Sequence, residues 1–167
     1  TICKITETGL GDISEYEFSA DESKILFGTN EQSIYRHSYT AEFYIWDLKT
    51  KKLQPLSDKK EQQLATFSPD GSKVAFVYQN NLYYKDLTNG KEVQVTTDGK
   101  KNSILNGLPD WVYEEEFGFN KAFDWSADGK YLAYIKFDES RVKTFDMTMF
   151  AGLAPKLEEN VLYPENR

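Results

Sequence analysis

Three consecutive glutamates, Glu114, Glu115 and Glu116, follow Trp111 and Tyr113 in the segment Leu108-Pro-Asp-Trp-Val-Tyr-Glu-Glu-Glu-Phe117, bracketed by Gly107 and Gly118. Such a run suits a strand poorly. Adjacent like charges repel, and a strand would send them to both faces. On a short helical turn successive residues sit about 100° apart, so neighbouring carboxylates can converge on one small cation while the aromatic neighbours restrict water. The competing reading is an ordinary solvated acidic patch.

Other reactive groups are sparse. His37 is the single histidine and Cys3 the single cysteine. No Gly-x-Ser-x-Gly nucleophile elbow occurs. His37, in a strand-like run with no nucleophile motif beside it, reads as structural, and Cys3 near the start of the chain is a still weaker nucleophile. One His and one Cys supply no metal-ligand spacing. We therefore expect no catalytic residue in this chain, no metal site and no cofactor. A net charge of −7 argues against a nucleic-acid partner, because phosphate binding needs basic clusters. No run approaches the roughly 18 apolar residues of a membrane span. The start at Thr1, without an initiator Met or a signal-peptide pattern, leads us to expect a natural protein that begins earlier.

The elements that must position the acidic run are repetitive. Phe18-Ser-Ala-Asp-Glu-Ser-Lys-Ile-Leu-Phe27, Phe67-Ser-Pro-Asp-Gly-Ser-Lys-Val-Ala-Phe76 and Trp125-Ser-Ala-Asp-Gly-Lys-Tyr-Leu-Ala-Tyr134 share an aromatic-Ser-x-Asp core, spaced by 49 residues (18 to 67) and 58 residues (67 to 125). Each reads as a turn between two apolar strands. A second hairpin follows in the first two units, through Phe43–Leu48 and Leu82–Leu87. An aromatic content of 15% also favours strands. The expected fold is all-β: antiparallel four-stranded blades of a β-propeller, two to three of them, with a short helical insertion. The expected divisions are the end of a preceding blade (1–12), a blade (13–58), a second blade (59–98), an insertion carrying the glutamates (99–122) and an incomplete blade (123–167). A closed ring needs about four to eight blades, so the chain reads as part of something larger.

Two segments, Asp110–Glu116 within the acidic run and Tyr35-Arg-His-Ser-Tyr-Thr40 in the first unit, together resemble the dipeptidyl peptidase IV family of prolyl oligopeptidase-type serine peptidases. Asp110-Trp-Val-Tyr-Glu-Glu-Glu116 is similar to the family's acidic signature, and Tyr35-Arg-His-Ser-Tyr-Thr40 to its arginine-bearing segment in an earlier blade. Phe117-Gly118-Phe119 departs from the Val or Ala then Phe of many members. The resemblance implies the N-terminal propeller of an enzyme whose C-terminal α/β-hydrolase domain carries the catalytic triad, and which releases X-Pro or X-Ala dipeptides from peptides with a free amino terminus. By motif position, Glu115 and Glu116 match the glutamates that bind the substrate ammonium. Arg36 matches the arginine that contacts the bound dipeptide's carbonyl and orients the glutamates. The resemblance further implies bacterial export, to the periplasm or cell surface, and a possible homodimer. The alternative is a non-catalytic propeller scaffold for protein interaction, since Trp46-Asp47 resembles the dipeptide of WD-repeat propellers.

Overall fold

The computed structural model describes residues 4–149 and 156–162; Cys3 and the last residues of the expected final blade lie outside them. A short helix, α1 (Ile5–Thr8), precedes two sheets of four antiparallel strands. The first holds β1 (Glu15–Phe18), β2 (Lys24–Ser33), β3 (Tyr39–Asp47) and β4 (Lys52–Pro55) in sequence order, and the second β5 (Gln63–Phe67), β6 (Lys73–Tyr78), β7 (Asn81–Asp86) and β8 (Glu92–Gln94). The chain is an all-β run of propeller blades with a short helical insertion, as the repeat implies.

The repeat has one structural cause. In each unit the aromatic residue pairs with the residue seven positions on: Phe18 with Ile25, Phe67 with Val74 and Trp125 with Leu132. The serine hydroxyl donates to the aspartate two residues later, at 2.7 Å for Ser19–Asp21, 2.6 Å for Ser68–Asp70 and 2.7 Å for Ser126–Asp128. The same hydroxyls accept the N–H of Lys24, Lys73 and Tyr131, which start the returning segments. Ser and Asp thus recur because their side chains build the turn. The residue after each aspartate is left-handed: Glu22 (φ 54°), Gly71 (φ 65°) and Gly129 (φ 65°). Two of the three units place glycine there, where it is adopted without a Cβ penalty.

Alternation with period 2 packs the blades face to face. Along β6, Val74 and Phe76 join Leu26, Phe43, Ile45 and Leu56 in a core with the first blade, while Ala75 and Val77 join Leu82, Leu108 and Phe123 on the other face. Along β2, Leu26 faces the second blade, and Ile25 and Phe27 pack with Trp46 on the opposite side.

The third unit explains why its motif arrives late. Its strands are β9 (Ile104–Asn106), β10 (Phe123–Trp125), β11 (Leu132–Tyr134) and β12 (Lys136–Asp138), followed by a hairpin of β13 (Thr144–Met149) and β14 (Lys156–Leu162). β11 pairs with β10, and β12 with β9. Between them, Ala122 N donates to Gly107 O (3.0 Å), Gly107 N to Ile135 O (3.1 Å) and Ile135 N to Ala122 O (2.8 Å). β9 and β10 therefore lie end to end along one neighbouring edge, as a single strand interrupted by residues 108–121. This neck falls inside the 99–122 span, so residues 104–106 belong to the blade. Gly107 makes the neck possible: its φ is 78°, and a Cβ there would sit 3.2 Å from Phe123 Cδ1 and 3.4 Å from Val77 Cγ2.

Candidate substrate-binding site

The excursion folds back on itself around the seven-residue helix α2 (Trp111–Phe117), which stands where a short helical insertion is expected for the acidic run. Asp110 caps it, its Oδ1 accepting the Tyr113 N–H at 3.0 Å. The helix ends at Gly118, left-handed at φ 62°, whose N–H returns to Glu114 O at 3.0 Å. Tyr113 fastens it: its ring centroid lies 5.1 Å from that of Phe137 on β12, 5.5 Å from Phe117 and 6.4 Å from Phe119. The Phe117-Gly118-Phe119 departure thus supplies two ring contacts and a helix stop.

The arginine segment reaches this helix from another blade. β2 and β3 form a long hairpin in which one extra residue on β2, between Thr29 and Gln32, breaks the regular register; Asn30 there has φ 54°. Such bulges re-aim a strand. The tip closes where Ser38 O accepts the N–H of Ile34 (2.9 Å) and of Tyr35 (3.3 Å).

At the junction, Arg36 Nε lies 3.0 Å from Glu115 Oε2, with the Arg36 side chain 71% exposed and that of Glu115 17%. Glu114 turns the other way. It is buried at 3% exposure, and its Oε1 accepts the backbone N–H of both His37 and Ser38 at 2.8 Å. Asn120 Nδ2 donates to His37 O at 3.4 Å. Glu116 is exposed, and among the described residues no ion pair or side-chain hydrogen bond engages it.

Of the residues singled out from the sequence, Arg36 and Glu115 are therefore joined directly, and Glu116 stands open beside them. His37 contributes its backbone to the junction. Glu114 was not singled out. The available signal was its spacing three residues after Trp111, on the same helical face, but nothing in the sequence says which of three glutamates turns inward.

A cavity of about 660 Å³ opens beside the junction, lined by Tyr35, Ser38, Leu108, Glu114, Asn120 and Glu139 among others, but not by Arg36, Glu115 or Glu116. Glu139 is 8% exposed. Burial, and secondarily the charge of Asp110, pushes its carboxyl up to about 7. Burial, followed by the charges of Glu139 and Glu114, raises the Tyr35 phenol above its ordinary value. Among the described residues no His/Cys/Asp/Glu group has metal-site geometry, and no helix is long and apolar enough to cross a membrane.

Blades of this construction, one interrupted by an acidic helix that meets an arginine from another, define part of a β-propeller with a helical insertion. Residues 19–166 match the family model described as the dipeptidyl peptidase IV (DPP IV) N-terminal region. The crystal structure of dipeptidyl peptidase 4 from Porphyromonas gingivalis superimposes with a TM-score of 0.88 at 44% identity, covering 95% of this chain and 23% of that one. Curated relatives include a probable dipeptidyl-aminopeptidase B of Phaeosphaeria nodorum, 43% identical over 80% of this chain and 15% of its own length. Prolyl endopeptidase FAP of Mus musculus is 36% identical over 91% of this chain and 20% of its own length. The chain belongs to the dipeptidyl peptidase IV N-terminal region family, and it spans about a fifth or less of the length of these two curated relatives.

Proposed function

We propose that this chain is the substrate-binding portion of a serine dipeptidyl peptidase, and that Glu115, Glu116 and Arg36 hold the free amino terminus of the peptide. The observation that carries the reading is the Arg36–Glu115 pair, 3.0 Å apart on a capped helix that projects from an interrupted blade strand. An exopeptidase must count residues from the amino end. Carboxylates fixed at one distance from a nucleophile do this, because only a terminal ammonium satisfies them. Glu116, open to solvent, accepts from the ammonium directly, and Glu115 divides its charge between the ammonium and Arg36. Without a counter-charge, two close carboxylates would disfavour each other's ionised forms; the guanidinium is permanently charged and answers that. With Nε on Glu115, its Nη donors reach for the first carbonyl of the bound peptide.

Bond cleavage falls to a C-terminal α/β-hydrolase domain of the same protein, releasing dipeptides with Pro or Ala second, in a protein exported by a bacterium. The test is hydrolysis of a Gly-Pro chromogenic amide. The intact protein releases the chromophore, and this chain alone does not. Turnover by the chain alone, or none by the intact protein on any free-amine dipeptidyl substrate, contradicts the reading.

A further inference from the structure

We propose that Glu114 is the positioning residue of the amino-terminus site: its carboxylate occupies an anion-binding nest formed by the hairpin tip and thereby fixes Arg36 against Glu115. The inference rests on the reading above and adds a residue and a role to it.

The polar groups of the tip can be followed one by one. Ile34 N and Tyr35 N close the turn on Ser38 O. His37 N and Ser38 N have no place in that turn and converge on Glu114 Oε1, at 2.8 Å each. His37 O accepts from Asn120, which leaves the excursion on the far side of α2. Successive backbone N–H groups aimed at one point form a concavity that favours an anion. Here the anion is a side chain of the acidic helix itself. It is 3% exposed, so the bonds form where water competes little. Hydrogen bonds to an ionised acceptor are also the stronger class.

The consequence for Arg36 is geometric. Its side chain is 71% exposed and meets the helix through Glu115. A long exposed side chain in one ion pair loses rotamer entropy and gains little. What holds the guanidinium in place is the backbone beneath it, and the two residues following Arg36 are the ones bonded to Glu114. The three glutamates thus divide their work: Glu114 fixes the arginine loop, Glu115 meets the arginine, and Glu116 stays open for the ligand. A glutamine at 114 keeps one acceptor oxygen and loses the charge. An alanine removes the shared acceptor of the His37 and Ser38 N–H groups, a costly outcome for the folded loop.

The test uses the intact protein as wild type, E114A, E114Q and E116Q. Three quantities are read: the inhibition constant of a free-amine dipeptide amide, the labelling rate of the nucleophile by a small fluorophosphonate that does not reach the propeller, and hydrogen exchange at the His37 and Ser38 amides. We expect the inhibition constant to rise about 10- to 100-fold in E114A and about 3- to 10-fold in E114Q, the range for losing or weakening hydrogen bonds to a charged group. Labelling stays at the wild-type rate, and exchange at the two amides quickens in the same order. Wild-type inhibition in E114A, with E116Q weakened, overturns the role of Glu114 and leaves the site reading intact. If E114A loses labelling because it misfolds, E114Q decides: wild-type inhibition and exchange there overturn the proposal. Wild-type inhibition in E116Q sinks the underlying reading instead.

Discussion

Arg36 Nε and Glu115 Oε2 lie 3.0 Å apart, although one residue tips a hairpin of the first blade and the other sits on a helix interrupting the third. Neither blade can set that distance alone. It depends on the bulged β2–β3 hairpin, the neck at Gly107 and Ala122, and the face-to-face packing of the second blade between them.

If this pair orients the site, removing the cation should weaken substrate recognition without unfolding the chain. In the intact protein, Arg36→Ala is expected to lower kcat/KM for a Gly-Pro amide by about 10- to 100-fold, the equivalent of one hydrogen bond to a charged group. Arg36→Lys should recover little of this, because an ammonium cannot meet Glu115 and a carbonyl with one planar fork. Steady-state kinetics of both variants check it.

The helix has a specific start. Asp110→Ala removes the acceptor of the Tyr113 N–H and is expected to cost about 1 kcal/mol, the usual value of an N-cap. Denaturant unfolding measures the loss, and hydrogen exchange should place it in residues 111–117.

The turn of the first unit holds Glu22 at φ 54°, where the other two units have glycine. Glu22→Gly should raise stability by up to about 1 kcal/mol, the penalty a side chain carries in that conformation. The paired change Gly71→Glu should lower it. Thermal unfolding of the two variants, with opposite signs, tests the shared turn.

Much of this could be read in advance. The aromatic-Ser-x-Asp repeat announced the blades because each residue has a local job in the turn, and local chemistry is visible in a sequence. The acidic run announced a helix for the same reason. What could not be read depends on long-range registry. That β9 and β10 are one strand interrupted by 108–121 follows from bonds among Gly107, Ala122 and Ile135, which no local pattern encodes. That Glu114 turns inward follows from where the His37 and Ser38 amides arrive, from a hairpin more than seventy residues earlier. Which glutamate is structural and which is open is decided by tertiary packing.

Glu139 makes stability depend on pH. Its folded-state carboxyl titrates near 7, above the ordinary value of 4.5, because it is buried and faces Asp110. The folded state therefore binds the proton more tightly than the unfolded state. The sign follows from linkage: below about 4.5 both states are protonated and there is no penalty, stability falls as pH rises from there to about 7, and it levels off above. Glu139→Gln should remove this slope, giving a higher Tm than wild type at pH 8 and a similar one at pH 4.5. Parallel melting curves at all pH values would mean that the carboxyl is solvated.

The most direct measurement is kcat/KM for a free-amine Gly-Pro substrate in the intact protein bearing Glu115→Gln or Glu116→Gln. Each change keeps the shape and removes one charge. A hydrogen bond to a charged group contributes roughly 1.5–3 kcal/mol, so each variant should fall by about 10-fold or more. Wild-type activity should also decline above about pH 8, where the substrate's amino terminus loses its proton. If both variants cleave at the wild-type rate, Glu115 and Glu116 are a solvated acidic surface, and the amino terminus is held elsewhere.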